Sequence, residues 1–79
     1  MINIKVLGSG CAKCKKLEEI ARKTSAEMGL QTNITKVTDY AEIIKYNVLT
    51  TPALVINEKV VSTGRIPDAS EIHAWLEEA

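Results

Sequence analysis

Ile2, Ile4 and Val6 alternate with Asn3, Lys5 and Leu7 at the start of the chain. A period of two predicts a β-strand, closed by Gly8-Ser9-Gly10. The period then lengthens. Cys14, Leu17, Ala21, Thr24 and Met28 recur every three or four positions, the signature of one helix face, and Gly29 suits the left-handed residue that follows a helix. Gln31 to Val37 alternates again but is rich in Thr and Asn, with Ile34 its main apolar anchor, so an edge strand with one poorly covered face is expected. Thr38 or Asp39 can cap a short second helix in which Tyr40, Ile43 and Ile44 form an apolar patch.

Leu49-Thr50-Thr51-Pro52 interrupts that helix, because the residue before proline is driven toward extended geometry. Ala53 to Ile56 is wholly apolar, as a central strand buried on both faces would be. Asn57-Glu58 reads as a tight turn into Lys59 to Thr63, giving a hairpin that Gly64 ends. Asp68 with Glu71 three positions later starts a last helix in the manner of a capping box, and Ile72, Trp75, Leu76 and Ala79 mark its buried face. His73 falls off that face and reads as a surface residue. The expected order is β-α-β-α-β-β-α, without linker or repeat.

Composition adds limits rather than a function. Seventy-nine residues suffice for one compact domain spanning 1–79. Ten basic and ten acidic side chains balance, which argues against nucleic acid or an anionic membrane as partner. The longest apolar run, Ala53 to Ile56, is far short of the roughly 18 residues that span a bilayer. The chain enters its first strand without a basic leader, so a cytoplasmic protein is expected. In that compartment thiols are kept reduced, and a purely structural disulfide is unexpected.

Both cysteines lie in Cys11-Ala12-Lys13-Cys14, where strand pattern gives way to helix pattern. Two thiols at this spacing share one end of a helix and can cycle between dithiol and disulfide or hold a soft metal. Disulfide exchange needs a thiolate, and the unpaired N–H groups and positive dipole end of a helix stabilise one at Cys11. Lys13, Lys15 and Lys16 add positive charge, and Lys5, Arg22 and Lys23 extend that cluster. Cys14, one turn further in, should be less exposed and suits the resolving role.

Strand–Cys11-x-x-Cys14–helix, Thr51-Pro52 entering the third strand, and a closing hairpin and helix together resemble the thioredoxin fold. In length and element order the chain is similar to the small redox-active disulfide proteins of the thioredoxin and glutaredoxin group. The resemblance implies an α/β domain with a four-stranded mixed sheet and three helices, acting as a thiol–disulfide oxidoreductase on protein or small-thiol substrates. Cys11 then matches the nucleophile, Cys14 the resolving cysteine, Pro52 the cis-proline beside the disulfide, and Thr51 the residue whose backbone pairs with an incoming substrate strand. A monomer, an unidentified reductase as electron source, and no cofactor or metal are implied as well.

Three departures stand out. No tryptophan precedes the motif, where Gly8-Ser9-Gly10 gives a more open and flexible approach; neither middle residue of the motif is proline; and Lys5 occupies the position of the family's buried acid. Two other readings remain open. The loop from Gly8 to Cys14 also resembles that of small copper- and heavy-metal-binding domains, although those follow β-α-β-β-α-β and carry a methionine where Ser9 stands. A non-catalytic interaction module on the same fold is the third.

Overall fold

A computed structural model describes residues 1–10 and 12–79. Its elements run β1 (Ile2–Leu7), α1 (Ala12–Glu27), β2 (Thr32–Val37), α2 (Tyr40–Ile44), β3 (Ala53–Ile56), β4 (Lys59–Thr63) and α3 (Ala69–Glu78). The sheet has the order β2-β1-β3-β4; β1 is parallel to β2 and antiparallel to β3, and β3 is antiparallel to β4. A helix therefore separates the second and third strands, as the hydrophobic pattern predicts and as the β-α-β-β-α-β order of the metal-binding domains does not. Among the described residues no helix is long and apolar enough to cross a membrane.

Alternation along β1 distributes its side chains to two layers, since successive residues of a strand face opposite ways. Ile4 and Val6 join Leu17 and Ala21 of α1, Leu54 and Ile56 of β3, and Ile72 and Leu76 of α3 in one core. Leu7 joins Ile43, Val48, Ala53 and Val55 in a second core on the other face. β3 serves both, and all four of its residues are buried. β2, at the edge, has no fully buried residue, in keeping with its Thr-rich sequence.

The local signals act where expected. Asp39 caps α2 by accepting from the Ala41 N–H at 3.0 Å. Asp68 and Glu71 form a reciprocal capping box at α3. Asn57 and Glu58 both take positive φ, 49° and 68°, the geometry that lets a two-residue turn match the twist of its strands. Three expectations need correction. α2 ends at Ile44, and Asn47 takes a φ of 60°, so the helix stops well before Leu49-Thr50-Thr51-Pro52, the segment expected to interrupt it. The patch expected on α2 is divided, with Ile43 buried but Tyr40 66% and Ile44 48% exposed, because five residues offer only one inward position. On α3, Ile72 and Leu76 are buried, Trp75 is only half-buried, and Ala79 is exposed.

Leu54, fully buried, and Leu49, 90% exposed, give opposite expectations for one substitution. Leu54→Ala should lower the unfolding free energy by about 2–5 kcal/mol. Leu49→Ala should stay within about 0.5 kcal/mol of the parent. Urea denaturation of both variants checks the two-layer core.

Candidate functional site

The chemistry-bearing positions meet where β1 ends. Gly8 follows β1 and continues its ladder by donating its N–H to Val37 O at 2.9 Å. α1 then packs back over the face of Ile4 and Val6, which brings its first turn beside the strand end. Cys14, 3% exposed, points at Gly8: a Cβ placed there would collide with Cys14 Sγ, lie 3.4 Å from Cys14 Cβ, and lie 3.7 Å from Thr51 Cβ. Three separate segments thus converge around one glycine. Cys11, expected as the nucleophile, lies outside the described residues.

The segment before β3 supplies the facing wall. The Thr51–Pro52 peptide bond is cis, as the resemblance implies; Pro52 is buried and Thr51 exposed. Gly64, at the end of β4, donates to Pro52 O at 2.9 Å and so ties this segment to the hairpin. Its φ of 71° and a distance of 2.8 Å from the would-be Cβ to Thr50 Oγ1 leave no room for a side chain. A hollow of about 240 Å³ adjoins Thr51, lined by Ser9, Thr38, Tyr40, Ile43, Val48 and Leu49. A larger one, about 520 Å³, includes Asn57, Trp75 and Ala79 in its lining and none of the site positions.

Charge around the cysteine turn is one-sided. α1 carries no acidic residue in its first turn, and Lys13, Lys15 and Lys16 are exposed there. Lys5 does not belong to this cluster, contrary to its expected place among the cations around the cysteines. Alternation turns it to the opposite face from Val6, paired across the sheet with Val55 of the second core. There its ammonium donates to Glu58 Oε1 and Tyr46 Oη, each at 2.7 Å, while Tyr46 Oη donates to Glu58 Oε2 at 3.0 Å. The bond to Glu58, then that to Tyr46, holds Lys5 well above the ordinary lysine value, and Lys5 in turn holds the Glu58 carboxyl below 4.5. This triad links the end of α2 to the β3–β4 turn and is not aimed at Cys14.

Gly8 is the position that sequence reasoning missed as a site residue. The Gly8-Ser9-Gly10 run reads as a flexible approach, yet Gly8 is buried, and its spacing from Ile4 and Val6 places it on the α1 face. An isolated glycine continuing a strand's inward period signals a close approach by another segment.

Residues 2–77 match the family model described as "Thioredoxin domain". The thioredoxin of Methanocaldococcus jannaschii is 38% identical over 76 residues, covering 96% of this chain and 87% of that protein. The thioredoxin of Methanothermobacter thermautotrophicus is 29% identical over 76 residues, covering 96% of this chain and 99% of that protein. Among solved structures, thioredoxin-2 of a malaria parasite, described as a component of its protein secretion machinery, superposes with a TM-score of 0.74 at 13% identity, over 100% of this chain and 84% of its own. Oxidised thioredoxin from Plasmodium falciparum gives 0.66 at 18% identity, over 98% and 79%. The architecture is the thioredoxin fold.

The Lys5–Glu58 pair makes a pH-dependent contribution of known sign. Glu58, with its pKa depressed on folding, stabilises the native state above its ordinary 4.5, and that contribution disappears as pH falls through the depressed value. Lys5, raised on folding, keeps its contribution until pH passes its elevated value. Glu58→Gln should therefore be less stable than the parent near neutral pH by a small amount, since the pair is exposed. The gap should hold from pH 7 down to about 4.5 and close as pH falls further, through the depressed value. Denaturation midpoints across that range check it; a gap independent of pH would mean that the carboxylate charge is not involved.

Proposed function

Because this chain belongs to the thioredoxin domain family, whose general role is thiol–disulfide oxidoreduction, we propose that it exchanges dithiol and disulfide with protein substrates through Cys11 and Cys14. The observation that carries the reading is the convergence of Cys14 Sγ, the end of β1 and the Thr51–Pro52 segment around Gly8, with Thr51 exposed beside the buried sulfur. That arrangement holds a sulfur within reach of a docking edge.

In the reducing direction, the Cys11 thiolate attacks one sulfur of the substrate disulfide. A Cys11–substrate S–S bond forms, and the other substrate sulfur leaves as a thiolate that takes up a proton. Cys14 then loses its proton and attacks Cys11 Sγ. The intramolecular disulfide closes, and the second substrate sulfur leaves with its electron pair. The α1 N-terminus favours the Cys11 anion through its unpaired N–H groups and dipole. Lys13, Lys15 and Lys16 reinforce this modestly, because exposed charges are screened. Thr51, exposed ahead of Pro52, offers backbone groups to an extended substrate segment.

We place the whole activity in one domain of 79 residues that works as a cytoplasmic monomer and receives its electrons from a separate reductase. Lys5 is turned away and paired with Glu58, so the Cys14 proton passes to solvent or to the departing substrate thiolate rather than to a buried acid beneath the pair.

Cys14→Ser should trap substrate as mixed disulfides through Cys11, visible on non-reducing gels and reversed by dithiothreitol; full turnover of the variant on a protein disulfide would contradict these roles. Alkylation of Cys11 against pH should give a pKa below the roughly 8.5 of a free thiol. A value at or above that would remove the helix-terminus argument.

A further inference from the structure

The chain has four glycines, and three of them, Gly10, Gly29 and Gly64, take positive φ, which by itself accounts for glycine there. Gly8 does not. Its φ lies outside the left-handed region, so the reason that serves the other three does not apply to it. What excludes a side chain is the space, and the atom that fills that space is Cys14 Sγ. Cys14 Cβ lies 3.4 Å and Thr51 Cβ 3.7 Å from the same point.

We propose that Gly8 is the positioning residue of the resolving thiol: by lacking a Cβ, it lets Cys14 Sγ rest against the end of β1. This deepens the proposed function and rests on its assignment of Cys11 as nucleophile and Cys14 as resolving cysteine. The wall on the other side is the backbone of β1, pinned by the Gly8 N–H bond to Val37 O. The strand is held by its ladder with β2 and β3, whereas the sulfur is the end of a side chain with one torsion. An alanine at position 8 therefore displaces the sulfur rather than the strand. On a helix, few alternative χ1 wells are open to it. Displacements of about 1 Å can change rates by on the order of 100-fold when two groups must meet in line.

The chemistry separates Cys14 from Cys11 in time, which makes the role measurable. With 5,5′-dithiobis(2-nitrobenzoate), the Cys11 thiolate forms a mixed disulfide and releases one thionitrobenzoate. Cys14 then attacks Cys11 Sγ, closes the intramolecular disulfide and releases the second. Both bonds formed and both anions released are balanced by the two thiols oxidised.

Stopped-flow absorbance on the reduced parent and on Gly8→Ala should show the second release slowed relative to the first by about tenfold or more in the variant. Thermal unfolding of the parent, Gly8→Ala, Cys14→Ala and the double variant completes the test. The loss from Gly8→Ala should shrink to less than half when Cys14→Ala removes the sulfur, even if Gly8→Ala alone fails to fold. An unchanged ratio of the two releases in a folded Gly8→Ala overturns the inference. So does an undiminished loss in the Cys14→Ala background, since a clash with anything but sulfur would persist. A parent protein that releases only one thionitrobenzoate instead overturns the role assignment itself, and the inference with it.

Discussion

Everything that gives this chain a site depends on α1 lying across the Ile4–Val6 face of β1. The contact is made by Leu17 and Ala21, both fully buried, against Ile4, Val6 and Leu54. It fixes the height and rotation of the helix over the sheet, and hence where its first turn ends. Cys14 shares the helical face of Leu17 and Ala21, so the packing that buries those residues also aims its sulfur at the strand end. Gly8, next on the same strand face, is where that sulfur lands. A close-packed interior leaves little freedom in such a placement.

The second layer does different work. Leu7, Ile43, Val48, Ala53 and Val55 anchor α2 and the segment leading to Pro52, the docking edge of the proposed function. Lys5, Tyr46 and Glu58 close that layer at its rim, linking three parts of the chain by hydrogen bonds of 2.7–3.0 Å. The cation at position 5 thus contributes to structure on one face, while the thiol chemistry is set on the other.

Much of the frame was legible in the sequence because it is carried by local signals. Alternation at Ile2–Leu7, the helical face through Leu17 and Ala21, the cap at Asp39, and the box at Asp68 and Glu71 each depend on neighbours within a few residues. What escaped depends on distant partners. Lys5 meets Tyr46 and Glu58, 41 and 53 positions away, and no local pattern announces it. Gly8 reads as flexible because it opens the Gly8-Ser9-Gly10 run; only the packing of α1 shows that its missing Cβ is occupied by sulfur. The divided face of Tyr40, Ile43 and Ile44 reflects how little surface a five-residue helix can bury. The cis bond before Pro52 came from family resemblance, since only about 5–6% of such bonds are cis in folded proteins.

The proposed chemistry requires Cys11 and Cys14 to form one reversible two-electron couple. Equilibrating the protein in a graded series of thiol–disulfide buffers, quenching with an alkylating agent and reading the intact mass measures it directly. The account predicts a single reversible transition between doubly alkylated and unalkylated protein, with a tenfold change in ratio for about every 30 mV. Protein that stays doubly alkylated across the series, or that binds Cu(I) stoichiometrically without ever closing a disulfide, would contradict it.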